Sequence, residues 1–235
     1  MTDQDITAEL KQFKRDQKIH NALNTLLELF INMAKSSSEK QVLNSTMQRA
    51  LDMAVDLSGA EMGSIFLLNS HGVVTDSILT QNHLEGDKRS SLIGKVLEIG
   101  LAGWVKKNLC VGLVIDAEED DRWVTFKDQS YIVNSALAVP ILRQDTLFGI
   151  ITLLHSERNR FDKASVDFVQ KAANQMAIAI ENAQLYKKLE EAGKAIEKYS
   201  KALQFELDQG RKIQNDFLPS NLPETETCDI YTYFT

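Results

Sequence analysis

Apolar positions recur every three or four residues from Ile6 to Leu57. Ile6, Leu10 and Phe13 keep that spacing, and so do Leu23, Leu27, Phe30 and Ala34, with a polar stretch from Lys14 to Lys18 between the sets. Such a period lays one face of an α-helix against a core or a partner. Ser36-Ser37-Ser38-Glu39 has capping-box form, in which the Ser36 hydroxyl accepts from the N–H of residue 39 and Glu39 reaches back. It opens a second helix with Val42, Leu43, Met47, Ala50, Leu51, Ala54 and Leu57 on one side. Ser58-Gly59 stops that helix, because glycine tolerates the left-handed conformation at a helix end.

The period then shortens. Ser64 to Leu68 is a short, largely apolar strand, Asn69-Ser70-His71-Gly72 is a turn, and Val73 to Thr80 is the return strand of a hairpin. Residues 85–92 are polar and read as a loop. Val96 to Lys107 predicts a short helix whose apolar contacts come from Leu101, Ala102, Trp104 and Val105. Val111 to Ile115 is a strand, followed by the acidic run Asp116 to Asp121. Ala136 to Leu142 and Leu147 to Leu154 are two strands joined by Arg143-Gln144-Asp145-Thr146. Pro140 places the first of these at an edge or at an irregularity, since proline cannot donate to a ladder.

A long helix closes the pattern, with Asp162 as its N-cap. Val169, Ala173, Met176, Ile180 and Ala183 form one apolar stripe. Leu185, Leu189, Ala192, Ile196, Tyr199 and Leu203 form a second, in strict 4/3 alternation, and the phase slips near Ala183. The first stripe packs on a domain; the second is a coiled-coil seam. Continued, the seam meets Glu206, Gly210, Ile213 and Phe217, and loosens at the first two. Ending before Pro219, the helix spans roughly 80 Å at 1.5 Å per residue. A seam of that length implies a partner helix.

Composition narrows the picture. Nine of the eleven glycines fall between Gly59 and Gly149, so long helices flank a turn-rich α/β centre. Hydrophobic and charged fractions of 43% and 25% exclude a wholly disordered chain. No apolar run reaches the roughly 18–20 residues that span a bilayer, and MTDQDITAEL lacks a signal-peptide core, so a cytoplasmic protein is expected. A net charge of −7 without a basic block argues against nucleic acid as a partner. Cys110 and Cys228 form neither a zinc motif nor a disulfide framework.

Three segments, SGAEMGSIFLLNSHG, GLAGWVKKNLCVGLVIDAEEDDRW and SALAVPILRQDTLFGIITLLHSERNRFDKASVDFVQKAANQMAIAIENAQLY, follow one another in that order. Together they resemble a GAF domain, the small-ligand sensor module of signalling proteins. The resemblance implies an α+β fold: a six-stranded antiparallel sheet with helices on both faces, the terminal helices on one and a roofed pocket on the other. The organisation expected is a signalling helix over 1–38, the GAF domain over 39–186, a coiled coil over 187–217 and a further start over 218–235. The run Arg211 to Pro223, with Ile213-Gln214-Asn215-Asp216-Phe217-Leu218-Pro219 in it, resembles the lead-in to a PPM-type metal-dependent serine phosphatase of bacterial stress-response and sporulation regulators. Cys228 to Phe234 would be its first strand. The metal-ligand carboxylates of that family do not follow, so the expectation is a truncated regulatory half with no enzyme activity of its own.

The four histidines, His20, His71, His83 and His155, lack ligand spacing and read as structural or surface residues. Cys110, between Leu109 and Val111, reads as a small apolar filler rather than a bilin attachment point. The acidic run lacks the oxygen spacing and glycine of a calcium loop. Asn159-Arg160-Phe161 is similar to part of a cyclic-nucleotide signature, but Ser165-Val166 stands where that signature has Asp-Glu. No cofactor is assigned; a cyclic nucleotide is a secondary candidate.

By resemblance, a ligand lies on the sheet face opposite the terminal helices, against Ser64, Phe66, Ile78, Leu101, Ala102 and Asp116, with Trp123 and Phe126 as a mobile roof. Leu27, Phe30, Leu185, Leu189, Ala192, Ile196, Tyr199 and Leu203 form the interface of a homodimer. The function read from these features is a regulatory sensor that binds a small ligand or partner and signals through a dimeric coiled coil to a serine/threonine phosphatase domain. Two alternatives stand beside it. One is an enzyme, the full-length protein being a phosphatase of a phosphorylated regulatory protein. The other is a ligand-free module that only dimerises.

Overall fold

The computed structural model describes residues 3–35, 40–80, 94, 96–125 and 131–217. The elements are α1 (Asp3–Lys35), α2 (Lys40–Ser58), β1 (Met62–Leu68), β2 (Val74–Leu79), α3 (Leu101–Asn108), β3 (Gly112–Val114), β4 (Ser135–Arg143), β5 (Thr146–His155) and α4 (Lys163–Phe217). The expected Ser36–Glu39 capping box, the 85–92 loop and the 218–235 tail lie outside the described residues. The chain divides into two units, Met1–Tyr186 and Lys187–Thr235.

Five strands pair into one antiparallel sheet in the order β2-β1-β5-β4-β3. The resemblance implied six. Among the described residues only the five apolar segments legible in the chain pair into the sheet. Asn69 builds the first hairpin: its side-chain oxygen accepts from the N–H groups of His71 and Val73, and Gly72 takes φ +71°. Pro140 is tolerated because β3 pairs only with Ala136, Leu137 and Ala138, so that among the described residues β4 has no neighbour on that side at Pro140. The β4–β5 register also shifts one residue later, between Ile141 and Leu142.

Alternation along the strands makes two faces. Ile65, Leu67, Leu137, Val139, Ile151 and Leu153 bury against Leu26 and Phe30 of α1, Met47, Leu51 and Ala54 of α2, and Phe168, Val169, Ala173, Met176 and Ile180 of α4. Each such large side chain contributes about 1.5–3 kcal/mol of transfer free energy. Phe66, Val114, Ala136, Ala138 and Ile150 face the other way, onto Leu101, Ala102 and Val105 of α3.

Ends and close approaches fix these elements. Ser58 Oγ donates to the Ala54 carbonyl at 2.6 Å, and Gly59 leaves α2 with φ +66°. Asp162 caps α4 by accepting from both the N–H and the hydroxyl of Ser165 at 2.8 Å. Phe161 and Val166, at the positions of a hydrophobic staple, share the helix-side core. Gly149 has no room for a side chain: a Cβ there would stand 2.5 Å from the Phe66 carbonyl oxygen. On α1 the buried face is Ala22, Leu26 and Phe30, while Leu27 and Ile31 are exposed. Phe30 therefore belongs to the chain's own core and offers no surface to a second chain, whereas Leu27 does.

Two substitutions weigh these devices. Asp162→Ala should cost about 1 kcal/mol by loss of the cap. Gly149→Ala should cost more, about 1–3 kcal/mol, because backbone must move. Urea unfolding checks the order; an unchanged midpoint for Gly149→Ala would contradict the packing described.

Candidate functional site

The face opposite the terminal helices is built from a cross-strand row. Leu79, Ser64, Thr152, Ala138 and Gly112 are successive ladder partners across β2, β1, β5, β4 and β3. Small residues at the β3–β4 end let α3 lie directly on the sheet. A Cβ on Gly112 would come within 2.9 Å of Leu101 and 3.1 Å of Val105. Further along the row, the hydroxyls of Ser64 and Thr152 hydrogen-bond to each other. The partner that explains a hydroxyl among apolar neighbours is thus a side chain on the adjacent strand.

Phe66, Leu101 and Ala102 come together as expected, all buried in one cluster, and Ser64 shares the face of Phe66. Trp123 packs on the rim of that cluster, and its buried indole N–H has no acceptor among the described residues. Ile78 is not with them. It pairs with Ile65 and points into the helix-side core, because the β1–β2 register puts Leu79 and Ser77 on the Ser64 face. Asp116 is also engaged elsewhere: its carboxylate pairs with Arg158 at 2.8 Å and accepts the Glu118 N–H at 3.0 Å. Phe126 lies outside the described residues.

The acidic run after β3 is held by arginines. Arg158 also pairs with Glu118. Arg122 was not singled out in the sequence, yet it organises this loop. Its guanidinium donates to Asp120 at 2.6 Å and to the Leu113 carbonyl at 2.7 Å, and it lies over the Trp104 ring of α3 at 4.9 Å. The edge strand β3 is thereby capped and tied to α3. The Arg122 hydrogen bond holds the Asp120 carboxyl below its ordinary value, against a smaller opposing effect of burial. The only sequence signal was an arginine two residues from an aspartate, too common a pairing to stand out.

The turn between β5 and α4 occupies the remaining candidates. His155 is buried; its Nδ1 accepts the Glu157 N–H at 2.8 Å, and Nε2 stands 3.7 Å from Glu61. Glu61 accepts from the Ser156 hydroxyl and N–H, and chiefly the former lowers its pKa. Asn159 takes φ +53° and donates its N–H to the Ile115 carbonyl; Arg160 donates to the Gly59 carbonyl at 3.2 Å; Phe161 is buried. All three residues of the partial cyclic-nucleotide signature thus have structural partners. Cys110 is exposed just beyond the left-handed Leu109 that ends α3, so it is not a buried filler. Among the described residues no group of His, Cys, Asp and Glu could hold a metal ion. Leu185, Leu189, Ala192, Ile196, Tyr199 and Leu203 are all exposed. Among the described residues no helix is long and apolar enough to cross a membrane.

A family model described as the GAF domain matches residues 41–181. The chain belongs to the GAF family. GAF domains are sensor and regulatory modules, and solved structures share this architecture. The GAF domain of a phosphoenolpyruvate-protein phosphotransferase from Acinetobacter is 18% identical with a TM-score of 0.50, over 71% of this chain and 97% of that one. Its counterpart from Coxiella burnetii is 18% identical with a TM-score of 0.53, over 71% and 96%. Free methionine-R-sulfoxide reductase from Neisseria meningitidis, solved with its substrate, is 10% identical with a TM-score of 0.53, over 71% and 90%. At these identities the likeness speaks for the fold alone. No curated protein matches the chain.

The Asp120–Arg122 pair gives a pH test on this GAF domain. A depressed folded pKa means that the pair stabilises above the ordinary carboxylate value of 3.8 and loses that effect as pH falls through the lowered value. Asp120→Asn should therefore cost up to about 1 kcal/mol near pH 6, discounted for partial exposure, and nothing once the native carboxylate is protonated. Thermal unfolding of both proteins from pH 6 downwards checks it; a difference that ignores pH would contradict the assignment.

Proposed function

We propose that this chain is the sensory and transmitting part of a homodimeric cytoplasmic signalling protein. The GAF domain takes a small ligand or partner on the α3 side of its sheet, and α4 carries the response as a coiled coil. One observation carries the reading. A single helix of 55 residues is core at one end and an unpaired apolar seam at the other: Met176 and Ile180 are buried, while Ile196 and Tyr199 are 69% and 77% exposed. Leu185, Leu189, Ile196, Tyr199, Leu203, Ile213 and Phe217 are each more than half exposed. The opposite side of the helix carries the i,i+4 pairs Glu190–Lys194 and Glu197–Lys201, each at 2.6 Å, as a solvent face should.

The tail's resemblance to a PPM phosphatase lead-in supports that domain as the receiver, acting in the full-length protein on a phosphorylated regulatory protein. A ligand would bias the receiver only by binding two arrangements of the helices unequally. The dense packing of Phe66, Leu101, Ala102 and Ile150 favours a second reading, in which the face is filled by its own side chains and the module only dimerises. A small molecule retained in native mass spectrometry of protein from its own host would decide for the first.

Sedimentation velocity tests the shared core of both readings. At tens of micromolar the chain should sediment as a dimer of 26.4 kDa protomers. Ile196→Glu with Leu203→Glu should give a monomer whose GAF domain unfolds as before. A native chain that sediments as a monomer would end the proposal.

A further inference from the structure

The turn that leads from β5 into α4 is held from several sides, and one of its holders is a titratable ring. Ser135 and His155 are ladder partners at the ends of β4 and β5. By strand alternation both lie on the helix side, next in line to Leu137 and Leu153. Together they grip the backbone of Glu157: the Ser135 hydroxyl donates to its carbonyl at 2.7 Å, and His155 Nδ1 accepts its N–H at 2.8 Å. Ser156 is gripped in the same way. The Asn134 side-chain amide donates to its carbonyl at 2.6 Å, and Glu61 accepts its hydroxyl at 2.7 Å and its N–H at 3.1 Å. Further on, the Asn159 N–H reaches the Ile115 carbonyl at 2.9 Å, just ahead of the Asp162 cap of α4.

An imidazole nitrogen that accepts a hydrogen bond carries no proton. Neutral His155 therefore keeps its proton on Nε2, which stands 3.7 Å from Glu61. The ring is buried, so water cannot easily stand in for either partner. A second proton can go only to Nδ1, where the Glu157 N–H already points. The imidazolium has two donors and no acceptor, so protonation breaks the bond to Glu157. Among the described residues Glu61, from the turn between α2 and β1, is the one carboxylate within 4 Å of the ring nitrogens. It lies at the Nε2 edge, where it favours the charged ring without replacing the lost bond. The other charged groups of the turn are directed elsewhere. Arg158 pairs with Asp116 and Glu118, Arg160 donates to the Gly59 carbonyl, and Asp162 accepts from Ser165.

We propose that His155 is a proton-operated latch on the turn between β5 and α4. In its neutral form the ring pins Glu157 and so fixes the root of α4. Protonated, it keeps Glu61 and releases the Glu157 N–H, which loosens the turn. Histidine is the side chain whose charge ordinarily changes between about pH 5 and 8, so mild acid operates the latch. Its consequence for signalling rests on the transmitting role proposed for α4. The latch itself does not, since every contact in it lies within one chain.

NMR of the nitrogen-labelled full chain between about pH 8 and 5 tests this. At the upper end the ring nitrogen shifts of His155 should place the single proton on Nε2. As the ring takes up its second proton, protection of the Glu157 amide against solvent exchange, corrected for the intrinsic pH dependence, should fall about tenfold with the same midpoint. The amides of Ile150 to Leu153 should stay protected throughout. His155→Asn sets a carbonyl oxygen in the place of Nδ1 and cannot titrate, so its Glu157 amide should show no such step. The titration of the native chain decides the matter even if that variant does not fold. A neutral ring with its proton on Nδ1 would overturn the proposal. So would a Glu157 amide that keeps its protection once the ring is charged, a ring that stays neutral to the lower end of the range, or a step that His155→Asn shares. None of these readings depends on whether the chain is a dimer or binds a ligand.

Discussion

Everything in this chain hangs on the packing of the first turns of α4 against the sheet. Phe168, Val169, Ala172, Ala173, Met176, Ala177 and Ile180 are buried there. They share one buried cluster with Leu137, Val139, Ile151 and Leu153 of the sheet. At the point of exit Arg143, where β4 turns into β5, is ion-paired with Glu181 of α4. A helix held this way cannot change its rotation without disturbing the strands it covers. That is the physical property a transmitting helix needs, and it follows from packing density rather than from any single bond.

The strands under α4 also form the floor of the α3 face. Ile151 and Leu153 look towards the helices, while Ile150 and Thr152, their neighbours in β5, look towards α3. Displacement of α3 or of the Arg122 loop is thus felt by residues one peptide away from the α4 contacts. On the proposed reading, ligand and helix compete or cooperate through this single layer of backbone. The clamp of Arg122 on Trp104, Asp120 and the Leu113 carbonyl sets how much the edge of that layer can give.

The amphipathic helices and all five strands were legible because their signals are local: apolar period, turn residues and breakers. The N-cap Asp162 and the stop at Ser58-Gly59 were legible for the same reason. Ile78 was misassigned because its face depends on the register between β1 and β2, which includes a shift at Leu67/Leu68 that no local pattern announces. Phe30 fits two stripes, one with Leu27 and one with Leu26. The small Ala22 hid the one that the core uses. Asp116 and Arg158 are 42 positions apart and meet only through the β3–β4–β5 topology. The Arg122–Trp104 stack escaped notice for the same reason. The site was thus legible as a face and not as a set of contacts.

The central claim is that one helix serves first as domain core and then as a seam for a second copy. Hydrogen–deuterium exchange at two protein concentrations, one above and one well below the dimerisation range, tests it most directly. The account predicts that amides of residues 165–180 are strongly protected at both concentrations, and that protection over residues 187–203 rises with concentration. Exchange over 187–203 as fast at the higher concentration as at the lower would contradict it.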